Sequence, residues 1–213
     1  MIKNEFQVLI LAGGKGERLK PLTDNIPKPL IKINSKPFLG HQIKYLESKY
    51  QINNFIIATG YKSKFIEEYL LESFSHLNIK TIDSGNVDIL TRIRDCKYLL
   101  KDNFLLCYGD TLADIKVEEL FNFHFQHSGS VTISSYQLHS QFGILKLGEK
   151  GLVNKFMEKP KLNEWINIGY MVIDKNIIDN RQESFGNFIA DLADSGLLYS
   201  FKHKGLHITV NTL

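Results

Sequence analysis

Short apolar runs of strand length recur through the first 130 or so residues, separated by segments whose apolar residues fall at helical spacing. The runs are "FQVLILA", "NFIIATG", "IKTIDSG" and "NFLLCYGD". The helical segments that alternate with them are "PFLGHQIKYLESKY", "KSKFIEEYLLESF", "ILTRIRDCKYLL" and "KVEELFNFHFQHS". In the second of these, the spacing predicts Phe65, Tyr69 and Leu70 on one helical face. Strands too apolar to meet water on either side need cover on both. The alternation therefore predicts a doubly wound, Rossmann-like α/β fold: a mostly parallel, mixed sheet with helices on both faces.

After Ser130 the text becomes strand-rich: "SVTISSY", "FGILKL", "LVNKFMEK" and "INIGYMVID", then one helix, "FGNFIADLADSG", and a last strand pair, "LLYSFKHKG" and "HITVNT". No repeat, low-complexity tract or linker separates the two parts. The 213 residues are expected to form a single domain, with halves 1–128 and 129–213 sharing one sheet and the second half roofing the crevice at the strand ends. A net charge of +3 and the absence of a long Lys/Arg block argue against nucleic acid as a partner. No apolar run approaches bilayer length, and the N-terminus has no cleavage-site pattern, so no membrane partner is expected. Cys96 and Cys107 are isolated, with neither metal-ligand nor disulfide spacing, which suits a reducing, cytoplasmic setting.

The densest signal is "LILAGGKGERLKPLTDNIPKPL", Leu9 to Leu30. A glycine-rich turn directly after the first strand of such a sheet is a phosphate position, because glycines let backbone N–H groups approach an anion closely. The spacing is not that of a P-loop. It is not the dinucleotide fingerprint either, since Leu19 stands where a third glycine belongs and Pro21 interrupts the helix that should follow. What remains is an extended loop that brings Arg18 and Lys28 back over the strand end, with Pro27 and Pro29 keeping the lysine's backbone extended. Two cations beside free amides suit a triphosphate. Farther along, Asp110 closes the apolar strand "FLLCYGD", where its carboxylate can face the crevice.

"LAGGKGERLKPLTDNIPKPL" resembles the signature of the sugar-1-phosphate nucleotidyltransferases, or nucleotide-sugar pyrophosphorylases. "YGDTLAD", "FGIL", "FMEKPK" and "WINIGYMV" follow in that family's order. The nearest likeness is to glucose-1-phosphate cytidylyltransferases, carried by "IDSGN", "YGDTLADI" and "WINIGYMV". Where those enzymes continue into a Thr-Gly-Gly-Arg stretch, this chain reads "NVDILTRIRD". The resemblance implies a nucleotidyltransferase-type α/β domain, nucleotide-binding over 1–128 and sugar-phosphate-binding over 129–213. In it a sugar 1-phosphate attacks the α-phosphorus of a nucleoside triphosphate, CTP before GTP or UTP, and expels pyrophosphate with the help of Mg²⁺. The product would be a nucleotide sugar for surface polysaccharide synthesis, and the protein could be a homo-oligomer. A GTP-using mannose- or heptose-1-phosphate guanylyltransferase and a catalytically silent nucleotide-binding subunit stay open as alternatives.

Such chemistry asks for positioning and charge cancellation more than for covalent catalysis. By the resemblance, Leu11, Ala12, Gly13, Gly14 and Gly16 cradle the nucleotide, and Ser84 and Gly85 border its base, with Arg92 or Arg94 beside them. Arg18 would clamp the β- and γ-phosphates and Lys28 would meet the α-phosphate. Lys159 would hold the sugar phosphate, Glu158 and Asn167 the sugar hydroxyls, and the Gly143 backbone would line the sugar pocket. Asp110 is the expected Mg²⁺ ligand, and the family alignment puts Asn211 where a second metal-binding aspartate stands. His203 and His207 lie in strand-like text that does not suit zinc; His124 and His127 read as a polar patch on a helix, and Trp165 as a packed residue beside a buried strand.

Overall fold

The computed structural model describes residues 6–178 and 184–209. Seven strands form the central sheet: β1 (Gln7–Leu11), β2 (Asn54–Thr59), β3 (Asn78–Asp83), β4 (Asn103–Tyr108), β5 (Val131–His139), β6 (Lys161–Asp174) and β7 (Leu198–His203), in the order β7-β5-β6-β4-β1-β2-β3. β1 pairs in parallel with β2 and β4, β2 with β3, and β5 with β7, whereas β6 runs antiparallel to both of its neighbours. The sheet is therefore mixed and mostly parallel, and strands from both halves of the chain build it.

Period-two alternation decides which helix covers which face. Val8 and Ile10 point to one side with Phe55, Ile57, Leu105 and Tyr170. That face is covered by α1 (Phe38–Tyr50), α2 (Ser63–Phe74) and α4 (Val117–His124). Leu9 points to the other side with Ile56, Leu106 and Met171, beneath α3 (Ile89–Cys96) and α5 (Phe185–Asp194). Burial of β1, β2 and β4 on both faces leaves polar chemistry to gather at their ends, and the turns after β1 and β4 open side by side because Leu11 is in register with Tyr108.

Four local expectations change. In α2 the buried stripe is Ile66, Leu70 and Phe74, with Tyr69 at its rim; Phe65 is exposed because it lies one residue off the stripe. The last two strands do not pair with each other. β7 joins β5, and His207–Thr209 pairs antiparallel with Thr111–Ala113 beside the β4 turn. Trp165 is 40% exposed, with the Lys202 ammonium 5.1 Å above its ring, since the outer part of β6 lies beyond the covering helices. Gly169, at φ 74°, marks an irregularity in β6, and a Cβ there would overlap the Tyr108 ring.

The fourth change concerns His124, which is buried rather than part of a surface patch. Its Nε2 is 3.0 Å from Asn103 Oδ1 and its Nδ1 2.9 Å from Thr132 Oγ1, which is also 2.9 Å from His127 Nε2; Gly129 N–H donates to His127 Nδ1. With both imidazoles neutral the chain runs in one direction: Gly129 to His127, His127 to Thr132, Thr132 to His124, and His124 to Asn103. Burial pushes the His124 pKa down to about 4 and lowers that of His127. The folded state therefore resists a proton that the unfolded chain accepts near pH 6.5. The stabilisation is complete above pH 6.5 and fades as pH falls towards 4. Chemical denaturation at pH 7.5 and pH 5 should show the native protein losing about 2 kcal/mol more than His124→Gln over that interval.

Candidate functional site

The turn after β1 carries the glycines. Gly13 is buried and Gly14 exposed, and Gly16 takes the left-handed conformation (φ 66°) with its α-carbon against Thr23 and Lys28, so that a side chain there would meet both. The loop is pinned from below: Ala12 N–H donates to Ala58 O, Tyr61 N–H to Gly13 O, and the buried Thr23 hydroxyl to Gly16 O at 3.0 Å. Beyond it come only a 3-10 turn, Glu17–Leu19, and a single α turn, Leu22–Asn25. No long helix starts directly after the glycine turn. Free amides and side-chain cations are what the loop offers.

Lys28 opens a 3-10 turn, Lys28–Leu30, instead of staying extended; Pro27, ahead of it, is the extended residue, and the ring of Pro29 suits an early helical position. This turn aims the lysine at the strand ends. Its Nζ lies 2.5 Å from Asp110 Oδ2, and the lysine side chain is 12% exposed and the aspartate 31%. The pair bridges the turns after β1 and β4. Gly109, between strand and aspartate, donates its N–H to Leu11 O at 3.0 Å, an approach that a Cβ would block.

Around this pair lies a cleft of about 440 Å³, lined by Gly14, Gly16, Arg18, Lys28, Asn86 and Asp110 among others. A second hollow of about 270 Å³ shares Gly14, Lys28 and Asp110 and extends past Leu11, Ala12 and Gly13 to Val87, Ile89 and Arg92. One space is rich in charge; the other has an apolar edge. A polyanion with a flat, partly apolar group attached matches that division.

The structure thus brings Leu11, Ala12, Gly13, Gly14, Gly16, Arg18, Lys28 and Asp110 together. Ser84 and Gly85 stand one step behind the cleft wall. The Ser84 N–H donates to Thr59 O, and the Gly85 carbonyl accepts from Arg92. Of the two arginines considered for the base, Arg92 reaches the hollow, while Arg94 meets the Thr91 hydroxyl. The Arg92 guanidinium is buried and donates to the carbonyls of Thr59, Gly85 and Val87, so it ties β2 and the loop after β3 to the underside of the glycine turn. Burial lowers its pKa, and Asp83 works in the opposite direction.

Gly143, Glu158, Lys159 and Asn167 do not line either space. Gly143 packs against the Phe156 ring and Glu158, near the hairpin Ile144–Leu147/Val153–Met157. Lys159 is exposed at a left-handed φ of 41°. Asn167 Oδ1 accepts the Gly169 N–H at 2.8 Å; burial raises the pKa of the Tyr108 hydroxyl, with Asn167 acting in the opposite direction. Asn211 lies outside the described residues. Sequence reasoning passed over Asn86, Val87, Ile89 and Tyr108 as lining residues; "DSGN" contained Asn86, but nothing in the text shows that the loop turns its later residues inward.

Two adjacent glycines give opposite expectations. A methyl at Gly13 would overlap the Arg92 guanidinium, which its carbonyl partners hold in place, whereas nothing lies within 4 Å of one at Gly14. Gly13→Ala should cost roughly 1–3 kcal/mol by overpacking, and Gly14→Ala should stay within about 0.5 kcal/mol of the native protein in urea unfolding.

The Nucleotidyl transferase family model matches residues 7–197. A Bacillus subtilis protein named "Probable glucose-1-phosphate cytidylyltransferase" is 33% identical, covering 97% of this chain and 92% of its own length. The Xenopus tropicalis mannose-1-phosphate guanylyltransferase catalytic subunit beta is 31% identical over 83% of this chain and 52% of its own. The crystal structure of HddC from Yersinia pseudotuberculosis complexed with GMP-PN superposes with a TM-score of 0.73 at 26% identity, covering 97% of this chain and 94% of that one. With its strand-end cleft, its glycine turn and these matches along nearly its whole length, the chain belongs to the nucleotidyl transferase family.

Proposed function

We propose that this protein transfers a nucleotidyl group from a nucleoside triphosphate, CTP in preference to GTP or UTP, to a sugar 1-phosphate, releasing pyrophosphate and a nucleotide sugar destined for surface polysaccharide. The observation that carries the proposal is the Lys28–Asp110 pair at the mouth of the glycine turn, which places a cation and a hard oxygen ligand at one point beside free amides. In the reaction, an anionic phosphate oxygen of the sugar 1-phosphate forms a bond to the α-phosphorus as the bond to the β-phosphate bridging oxygen breaks. The attacking oxygen is already ionised near neutral pH, so no general base is required. The amides of Gly13, Gly14 and Gly16 with Arg18 hold the triphosphate. Lys28 turns from Asp110 to the α-phosphate and offsets the charge that builds on its oxygens.

Mg²⁺ fits this donor set. It is commonly held by one or two carboxylates together with substrate phosphate, and of the two carboxylates that line the cleft, Glu17 and Asp110, Asp110 is the one at the strand end beside Lys28. Bound there, Mg²⁺ would neutralise charge across the phosphates. Lys159, Glu158, Asn167 and the Gly143 backbone are assigned to the sugar phosphate by the family pattern.

The preference for CTP is supported by a relative of cytidylyltransferase name that is covered over 92% of its length, against 52% for the guanylyltransferase subunit. The GMP-PN complex of HddC favours GTP as the second reading. A matrix of CTP, GTP and UTP against sugar 1-phosphates, read as pyrophosphate, separates them. CTP should lead by at least about tenfold in kcat/KM, the discrimination of roughly one well-placed hydrogen bond. Equal use of CTP and GTP would remove the cytidylyl assignment, and no pyrophosphate from any pair would remove the transferase reading. Asp110→Asn should lower kcat by roughly two to three orders of magnitude with the melting temperature little changed; turnover near the native rate would take the aspartate out of the mechanism.

A further inference from the structure

The turn that carries Asp110 is gripped from beneath by two buried side chains that line neither the cleft nor the hollow beside it. Gln42, on α1 and 1% exposed, brings Nε2 to 3.1 Å from Tyr108 O, 3.3 Å from Thr111 O and 3.1 Å from the Tyr170 hydroxyl. Tyr170, on β6 and also 1% exposed, donates its hydroxyl to Thr111 O at 3.0 Å. The amide must face this way, because its other orientation would set Oε1 against two carbonyl oxygens. Its two hydrogens serve three acceptors, while Oε1 is buried without a protein partner. The amide is aimed at two backbone carbonyls of one turn, a placement that packing alone does not call for. The grip falls on the two carbonyls that flank the Gly109–Asp110 tip, which is also held by the Gly109 N–H to Leu11 O, the Thr209 hydroxyl on Asp110 O, and the Lys28 ammonium and Thr111 hydroxyl on the Asp110 carboxylate.

We infer that Gln42 and Tyr170 are positioning residues for Asp110, setting the height of its carboxylate over the strand ends so that it meets Lys28 in the free protein and the triphosphate-bound metal in the working one. The inference rests on the proposed nucleotidyl transfer. Neither residue touches substrate. Their effect passes through two backbone carbonyls, and its sensitivity comes from the steep dependence of phosphoryl chemistry on placement, where an error of about 1 Å can cost on the order of a hundredfold. The bonds also make α1 and β6, elements from opposite halves of the chain, jointly responsible for one carboxylate.

The test compares Gln42→Met, which keeps length and loses the donors, with Ile43→Val, a core truncation one residue along the same helix. Manganese affinity is read by electron paramagnetic resonance in the presence of the α,β-methylene analogue of the triphosphate that the native enzyme uses, alongside kcat, KM for sugar phosphate and melting temperature. Gln42→Met should bind Mn²⁺ about tenfold more weakly and lose about tenfold in kcat, with KM for sugar phosphate unchanged. Ile43→Val should lower the melting temperature alone. If Gln42→Met shifts only the melting temperature, as the control does, the inference is overturned while the transferase assignment stands. If the native protein neither binds the Mn²⁺–nucleotide complex nor turns over, the assignment falls and the inference with it. Should Gln42→Met fail to fold, Tyr170→Phe decides: removing a single hydroxyl from Thr111 O should weaken Mn²⁺ binding about threefold, and native affinity in that variant overturns the inference.

Discussion

Parallel pairing of β1 with β4, in the register that sets Leu11 beside Tyr108, is the constraint on which the candidate site depends. It opens two turns at the same edge of the sheet, one with glycine amides and the other with a carboxylate. Neither turn has much chemistry by itself. Side by side they form a cleft in which cationic and anionic groups stand within hydrogen-bond reach of each other. A one-residue slip would exchange the side chains of the two faces and carry the β4 turn out of step with the glycine turn.

Electrostatics then divides the labour between buried and exposed cations. Arg92 spends its donors on carbonyls beneath the glycine turn, so its charge is structural and fixed. Lys28 and Arg18 line the cleft from 3-10 turns that fix their backbones.

The second half contributes in two ways. β5, β6 and β7 complete the sheet, and the antiparallel entry of β6 delivers Tyr170 beneath the β4 turn. The hairpin Ile144–Leu147/Val153–Met157 stands apart from the central sheet, with Leu145, Leu147 and Phe156 exposed; Gly143, Glu158 and Lys159 adjoin it in sequence, whereas Asn167 lies on β6.

The sequence by itself determined the α/β class, the doubly wound arrangement and the place of the first turn, because these rest on local periodicity and on glycines and prolines whose backbone limits do not depend on context. It also pointed to Gly13, Arg18, Lys28 and Asp110 through a motif read along a continuous stretch or at a strand end. Only the tertiary structure decided that Lys28 pairs with Asp110, that Arg92 and not Arg94 underlies the cleft, that His124 is buried in a relay, and that Gln42 grips a turn 66 residues away in sequence. Each of these is a contact between elements distant along the chain. In the sequence Gln42 is one polar residue on an amphipathic helix, and nothing local distinguishes it from Lys44 or Glu47. The difference arises when the helix packs, since a buried amide must find partners where it lands, and that place is set by the sheet order and not by its neighbours in the chain.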